Sequence, residues 1–308
     1  MLPFLLAATT AIVSPVPEWV QTVEDDYRIN VLAADDRTLW VASWQGLKRI
    51  DPRSGTVITN IYVPPTVGAM TRDRAGQMWV GTYEGLYRVS LANGRVTASN
   101  FNLPSTKVLS LITHNNRVWV GGDRGLVAID PSNAAIVAEL ESLPGTSANV
   151  LTDAGGRLWV GTQQGLVGVD PGRVAVTTHI SDVPGATVQA LVRDSEGNLW
   201  VGTPAGLFVF DPTADEGVRS IGAFEYRDVR SLAFDRVGSL WVGTTQGLFR
   251  LNTRNNQLAG QIHNLPSDWI YSVLPDVENK LWVGTSEGLA WVSQTTWEAT
   301  THDAFDRP

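Results

Sequence analysis

The sequence predicts an all-β protein, a seven-bladed β-propeller of four-stranded antiparallel blades. Three observations carry that prediction. Tryptophan recurs at Trp40, Trp79, Trp119, Trp159, Trp200, Trp241 and Trp282, at intervals of 39 to 41 residues. Each copy sits in one phrase: LWVASWQGL, MWVGTYEGL, VWVGGDRGL, LWVGTQQGL, LWVGTPAGL, LWVGTTQGL and LWVGTSEGL. Between the copies, short β-branched and apolar runs alternate with Gly, Asp and Pro turns, and no helical periodicity intervenes. A fixed period near 40 residues with strand-like units defines a radial repeat. The runner-up geometry, an open β-solenoid, is disfavoured because solenoid rungs are typically shorter.

The fifth unit shows the expected elements in order. Thr187 to Val192 reads as the first strand, and Asp194-Ser195-Glu196-Gly197 as a tight turn. Leu199 to Thr203 is the second strand, Pro204-Ala205-Gly206 turns the chain, and Leu207 to Phe210 is the third. Asp211-Pro212 opens another turn, and Val218 to Ile221 forms a weaker fourth strand. One such blade cannot bury both of its faces, so neighbours must cover them and seven close into a ring.

Strand alternation assigns the tryptophans. Trp200 and Gly202 share one face, with Leu199, Val201 and Thr203 on the other. A large indole beside a bare glycine suits blade-on-blade packing, and repetition in every unit makes these residues scaffold. The Asp-x-x-Gly segments at Asp73, Asp194 and Asp235 read as turns, since a calcium loop needs more convergent oxygens than they offer.

Seven units fill most of the 308 residues, leaving residues 15–308 as a single propeller. Residues 1–14, MLPFLLAATTAIVS, read as a signal peptide or loose leader with an apolar core and no basic start. That reading places the protein in the periplasm or outside the cell. Beyond residue 14 no apolar run is long enough to cross a bilayer as a helix. A net charge of −8 with no basic run argues against nucleic acid. Cysteine is absent and the four histidines are dispersed, so no metal and no cofactor is expected. The expected assembly is a monomer.

The phrase L-W-V-G-T-x-x-G-L resembles the two-component regulator propeller repeat. It stands unsubstituted at Leu158 to Leu166, Leu199 to Leu207, Leu240 to Leu248 and Leu281 to Leu289. The first three units depart mildly, through Ala42-Ser43, Met78 and Gly122. The resemblance implies the propeller fold over residues 18 to 293 and, by family habit, a sensory role outside the cytoplasm. Inheriting that role is analogy from fold, because function resides in sites.

The candidate site lies where identity varies within the constant frame. In the loop between second and third strands stand Trp44-Gln45, Tyr83-Glu84 and Ser286-Glu287 among others. Near the start of the first strands stand Arg28, Asn30, Arg230, Trp269 and Tyr271. Around a closed ring, blade 7 adjoins blade 1, so Trp44, Tyr83, Trp269 and Tyr271 fall in one aromatic sector, flanked by Arg28, Asn30 and Glu84. Aromatic faces beside amide, carboxylate and guanidinium groups suit a small molecule, a glycan or a protein ligand. The alternative is a propeller lyase or hydrolase using mouth carboxylates, with Glu84 and Glu287 the nearest acids. Streptogramin lyase, whose repeat is distantly similar, is the precedent for that reading. None of His114, His179, His263 or His302 is expected at the mouth, which leaves no histidine base there.

Ring closure has two candidates. Trp19 to Val23 is favoured as the outer strand of blade 7, because it precedes the first blade directly. Thr296 to Thr301 is the rival.

Overall fold

The computed structural model describes residues 27–302, apart from 36, 141, 215 and 216. The leader of residues 1–14 therefore lies outside the described residues. Twenty-eight strands form seven four-stranded antiparallel sheets, each a meander of consecutive strands. The first strands of the blades are Ile29–Ala34, Val67–Arg72, Val108–His114, Val150–Ala154, Ala190–Arg193, Val229–Phe234 and Ile270–Val277. Each contacts the first strand of the next blade, and the seventh contacts the first, which closes the ring.

The tryptophans lie on the second strands, and all seven are at most 3% exposed. Trp200 packs on Val229, Leu240 and Val242 of the next blade, and Trp282 packs on Ile29, Leu39 and Val41 across the seam. The glycine two residues on lets the neighbour approach. A Cβ on Gly81 would lie 2.2 Å from Val108 Cγ1, and one on Gly202 would lie 2.6 Å from Val229 Cγ1. The packing role expected from strand alternation is what the structure shows.

The fifth blade follows the expected order with shifted ends. Its second strand is Leu199–Thr203 as expected, while the first is Ala190–Arg193 and the fourth only Arg219–Ser220. The first strand begins late because Val188 N–H donates to Thr162 O of the preceding blade rather than to its own ladder.

Closure differs from the favoured expectation. The outer strand of blade 7 is Ala299–Thr301, paired with Gly288–Ser293, so the carboxyl-terminal candidate occupies the place. Residues 19–23 lie outside the described residues. The physical reason is a disguised turn. Asp51, Asp130, Asp170 and Asn252 open the third-to-fourth loop in blades 1, 3, 4 and 6, and Ser90 does so in blade 2, with a positive-φ residue four positions later closing it, as with Asp51 and Gly55 (φ 76°). In blade 7 Ser293 takes the first role, accepting N–H bonds from Thr295 and Thr296, and Trp297 (φ 63°) takes the second. The chain then returns directly as a fourth strand.

Candidate functional site

Two kinds of backbone irregularity build the mouth of the ring. The first is the turn between second and third strands. Thr82 is fully buried, its hydroxyl donating to Gly85 O (3.2 Å) and accepting Glu84 N–H (3.1 Å). Thr162, Thr244 and Thr285 repeat the pair of bonds. A buried hydroxyl thus fixes a two-residue loop whose own side chains stay free to vary.

The second irregularity is a bulge in the first strand. In blade 1, Ile29 pairs with Ser43 and Val31 with Ala42, so Asn30 is the extra residue. Gly68, Leu109, Arg230 and Tyr271 hold the same position in blades 2, 3, 6 and 7. Blades 4 and 5 place Asn149 and Gln189 just ahead of their shorter first strands. A bulge re-aims a side chain while the ladder continues on either side. Here it brings Asn30, Gly68, Leu109 and Tyr271 to the mouth.

The two devices meet in a cavity of about 310 Å³ whose wall includes Arg28, Asn30, Trp44, Tyr83 and Tyr271. Trp44 and Tyr83 meet edge to face with ring centroids 6.1 Å apart. The Arg28 guanidinium lies 4.2 Å above the Trp44 ring, a cation–π distance. Lys107 Nζ stands 5.9 Å from the Tyr83 ring. Thr66, Val67, Gly68, Leu109 and Asn149 complete the wall. Asn149 is held by its amide donating to Val188 O (3.2 Å) and by Ser147 donating to its Oδ1 (2.5 Å).

Three expected residues stand apart from this wall. Trp269 is 49% exposed on the loop entering blade 7, where its backbone is held by Ser267 Oγ and by Ser286 N–H. Glu84 is exposed in its two-residue loop, and its charge, after burial, helps to raise the Tyr87 phenol. Arg230 forms a 2.7 Å ion pair with Asp228 two residues earlier. Asn149 and Leu109 line the wall from outside the aromatic sector expected from the sequence. Their signal was present, since both occupy the bulge position counted from the repeat tryptophan.

The carboxylates of the enzymatic alternative, Glu84 and Glu287, are exposed and stand outside the cavity wall. His114 lies 3.7 Å from Asp153, His179 Nε2 meets Gln164 O, and His302 Nε2 meets Gly55 O. Among the described residues no three of His, Asp or Glu gather as metal ligands.

The comparisons agree with the architecture. A family profile for the two component regulator propeller matches residues 182–205 and 264–287. The extracellular domain of a Bacteroides thetaiotaomicron protein designated a hybrid two component system superposes with a TM-score of 0.74 at 20% identity, over 87% of this chain and 38% of its own. A second such domain from that organism gives 0.71 at 19% identity, over 86% and 38%. This chain therefore spans less than half of those relatives. Virginiamycin B lyase from Staphylococcus aureus gives 0.71 at 14% identity, over 85% of this chain and 92% of that one. No match was found among curated proteins. The fold and its repeat define the class, a seven-bladed β-propeller. More particularly, two stretches of it, residues 182–205 and 264–287, match the two component regulator propeller.

Proposed function

We propose that this propeller is a non-catalytic binding or sensory module, acting in the periplasm or outside the cell, that takes a small molecule or glycan at its mouth. One observation carries the reading. The bulged residues Asn30 and Tyr271 and the loop residues Trp44 and Tyr83 converge on one cavity of about 310 Å³. That volume stands at the lower end of the range of about 300–1,000 Å³ for small-ligand pockets. Aromatic faces would cover the apolar face of a sugar or ring, while amides and the Arg28 guanidinium would meet its hydroxyl or carboxylate groups.

The fold likeness to extracellular domains of two component systems supports a sensory use. The lyase or hydrolase reading has less support, because Glu84 and Glu287 do not line the cavity. The test is a thermal-shift screen of glycans and metabolites against wild type and the Trp44→Ala, Tyr271→Ala double variant. A ligand that raises the wild-type melting temperature is expected to leave the double variant unmoved, while Trp269→Ala responds as wild type. Equal shifts in wild type and the double variant would remove the mouth from consideration.

A further inference from the structure

The blades differ in what lies across from the repeated tryptophan, and at one junction a cleft opens beside it. In blades 1, 2 and 6 the residue across from the tryptophan on the third strand is arginine: Arg49 faces Trp40, Arg88 faces Trp79 and Arg250 faces Trp241. Each guanidinium lies over its indole, at 5.0, 5.9 and 5.7 Å. Blades 3, 4 and 7 carry no arginine there but Ala128, Gly168 and Trp291, and in blade 5 the same position is Val209, opposite Trp200. No cation from that strand covers the ring. Instead a cleft of about 570 Å³ opens between blades 5 and 6, on the face carrying the first-to-second and third-to-fourth turns. This is the face opposite the mouth.

The floor of the cleft is apolar, formed by Trp200, Val209 and Phe234, with Trp200 and Phe234 edge to face at 6.1 Å. Its walls carry four arginines, Arg193, Arg219, Arg236 and Arg254, all exposed. Three acids share the walls, but Asp194 and Asp235 are turned inward. Asp194 accepts bonds from Glu196 N, Asn198 and Trp200 Nε1, and Asp235 from Val237 N, Ser239 N and Trp241 Nε1. Arg193 is engaged by Asp153 at 3.9 Å and Arg236 by Asp276 O at 3.3 Å, so Arg219 and Arg254 carry the outward positive charge of the cleft, in a chain of net charge −8.

We propose that this cleft docks an acidic peptide segment of a partner protein, its carboxylates on the arginines and an apolar side chain on the Trp200–Phe234 floor. The cations are spread over two blades with Glu196 between them. That spacing suits separate carboxylates along a chain better than the continuous charge of a phosphate backbone, and the apolar floor has no use for a free small anion.

The probe is a fluorescein-labelled octapeptide of alternating glutamate and tryptophan, read by fluorescence polarisation, with a serine-for-glutamate peptide as control. Saturable binding of the acidic peptide alone, weakening with added salt, is expected. The Arg219→Ala, Arg254→Ala variant is expected to bind about tenfold more weakly, the effect of two exposed ion pairs together. Val209→Arg would restore the cation found in blades 1, 2 and 6, cover the floor and abolish binding, whereas Trp44→Ala at the mouth would leave binding intact. If Val209→Arg fails to fold, judged by its melting curve, the surface double variant decides alone. Binding unchanged in the double variant, equal binding of the serine peptide, or complete displacement by inorganic phosphate at matched ionic strength would each overturn the proposal.

Discussion

The indole N–H of each repeated tryptophan has the same burial but not the same partner. Asp35, Asp73, Asp194 and Asp235 accept it in blades 1, 2, 5 and 6, at 2.8 to 3.2 Å. In blades 3, 4 and 7 the N–H of Trp119, Trp159 and Trp282 has no partner among the described residues. Turn type decides this. The three blades use two-residue hairpins with positive φ at both positions, Asn115-Asn116, Gly155-Gly156 and Glu278-Asn279. These tight hairpins carry no aspartate reaching back to the ring. Reading the sequence identifies the aspartates as turn formers, but their second bond is made to a residue five or six positions away and depends on register. The consequence is measurable by chemical denaturation. Trp79→Phe and Trp119→Phe remove similar apolar surface, but only the first strands a buried carboxylate oxygen. Trp79→Phe is expected to cost about 1–3 kcal/mol more than Trp119→Phe, the penalty for an unsatisfied buried group. At the same scale, Gly81→Ala forces a methyl into Val108 and is expected to cost about 1–3 kcal/mol by overpacking.

At the scale of the element, the third-to-fourth loop is a pH-sensitive part. Asp51, Asp130, Asp170 and Asp211 each accept N–H bonds from the loop they open, from Arg53, Ser132, Arg173 with Gly172, and Thr213. Those bonds hold all four carboxyl groups below the ordinary aspartate value. Burial works against the charge of Asp35, but bonds from Thr38, Trp40 and Arg37 outweigh it and lower that group as well. A depressed folded value means stability that is present above the unfolded value of about 3.9 and is lost as pH falls through the folded value. Asparagine keeps the acceptor but not the charge. The melting temperature of Asp51→Asn, Asp130→Asn is therefore expected to lie below wild type at pH 6 and to converge with it as pH approaches 2. Parallel curves would refute the assignment. The bulge is the element that was least legible. An extra residue in a strand leaves no mark in composition, so Asn30 and Tyr271 were found only as variable positions at a fixed count from the tryptophan. The same counting could not separate Trp269, two residues before Tyr271, which does not line the cavity.

At the scale of the whole molecule, the ring closes without sharing a strand between its termini. Repeat spacing made seven blades legible, because tryptophan and glycine are each required by the neighbouring blade. It could not tell which terminus supplies the last strand, because in blade 7 the bulky Trp297 stands at the positive-φ turn position that Gly55, Gly94, Ala134, Val174 and Asn256 hold elsewhere. Once the last strand is Ala299–Thr301, the seam reproduces an ordinary junction. Between blades 2 and 3, Arg88 donates to Pro131 O and Ser132 O, and the Asn100 amide donates to Ala134 O. Between blades 7 and 1, Lys280 donates to Pro52 O and Arg53 O, and His302 Nε2 meets Gly55 O at 2.6 Å. Asn100 pairs with Leu86, and His302 N–H donates to the corresponding Leu289 O, so the two side chains hold equivalent places. His302 is 7% exposed and tilted against Trp282 at 6.0 Å. His302→Ala removes one buried hydrogen bond and part of the cover of Trp282, and a loss of about 0.5–1.5 kcal/mol is expected from the bond alone. His302→Asn transplants the amide that serves the same place in blade 2 and is expected to recover most of that loss. Thermal and denaturant unfolding of the two variants separates the cases. If asparagine is no better than alanine, the seam is held by packing on Trp282 and not by the bond to Gly55.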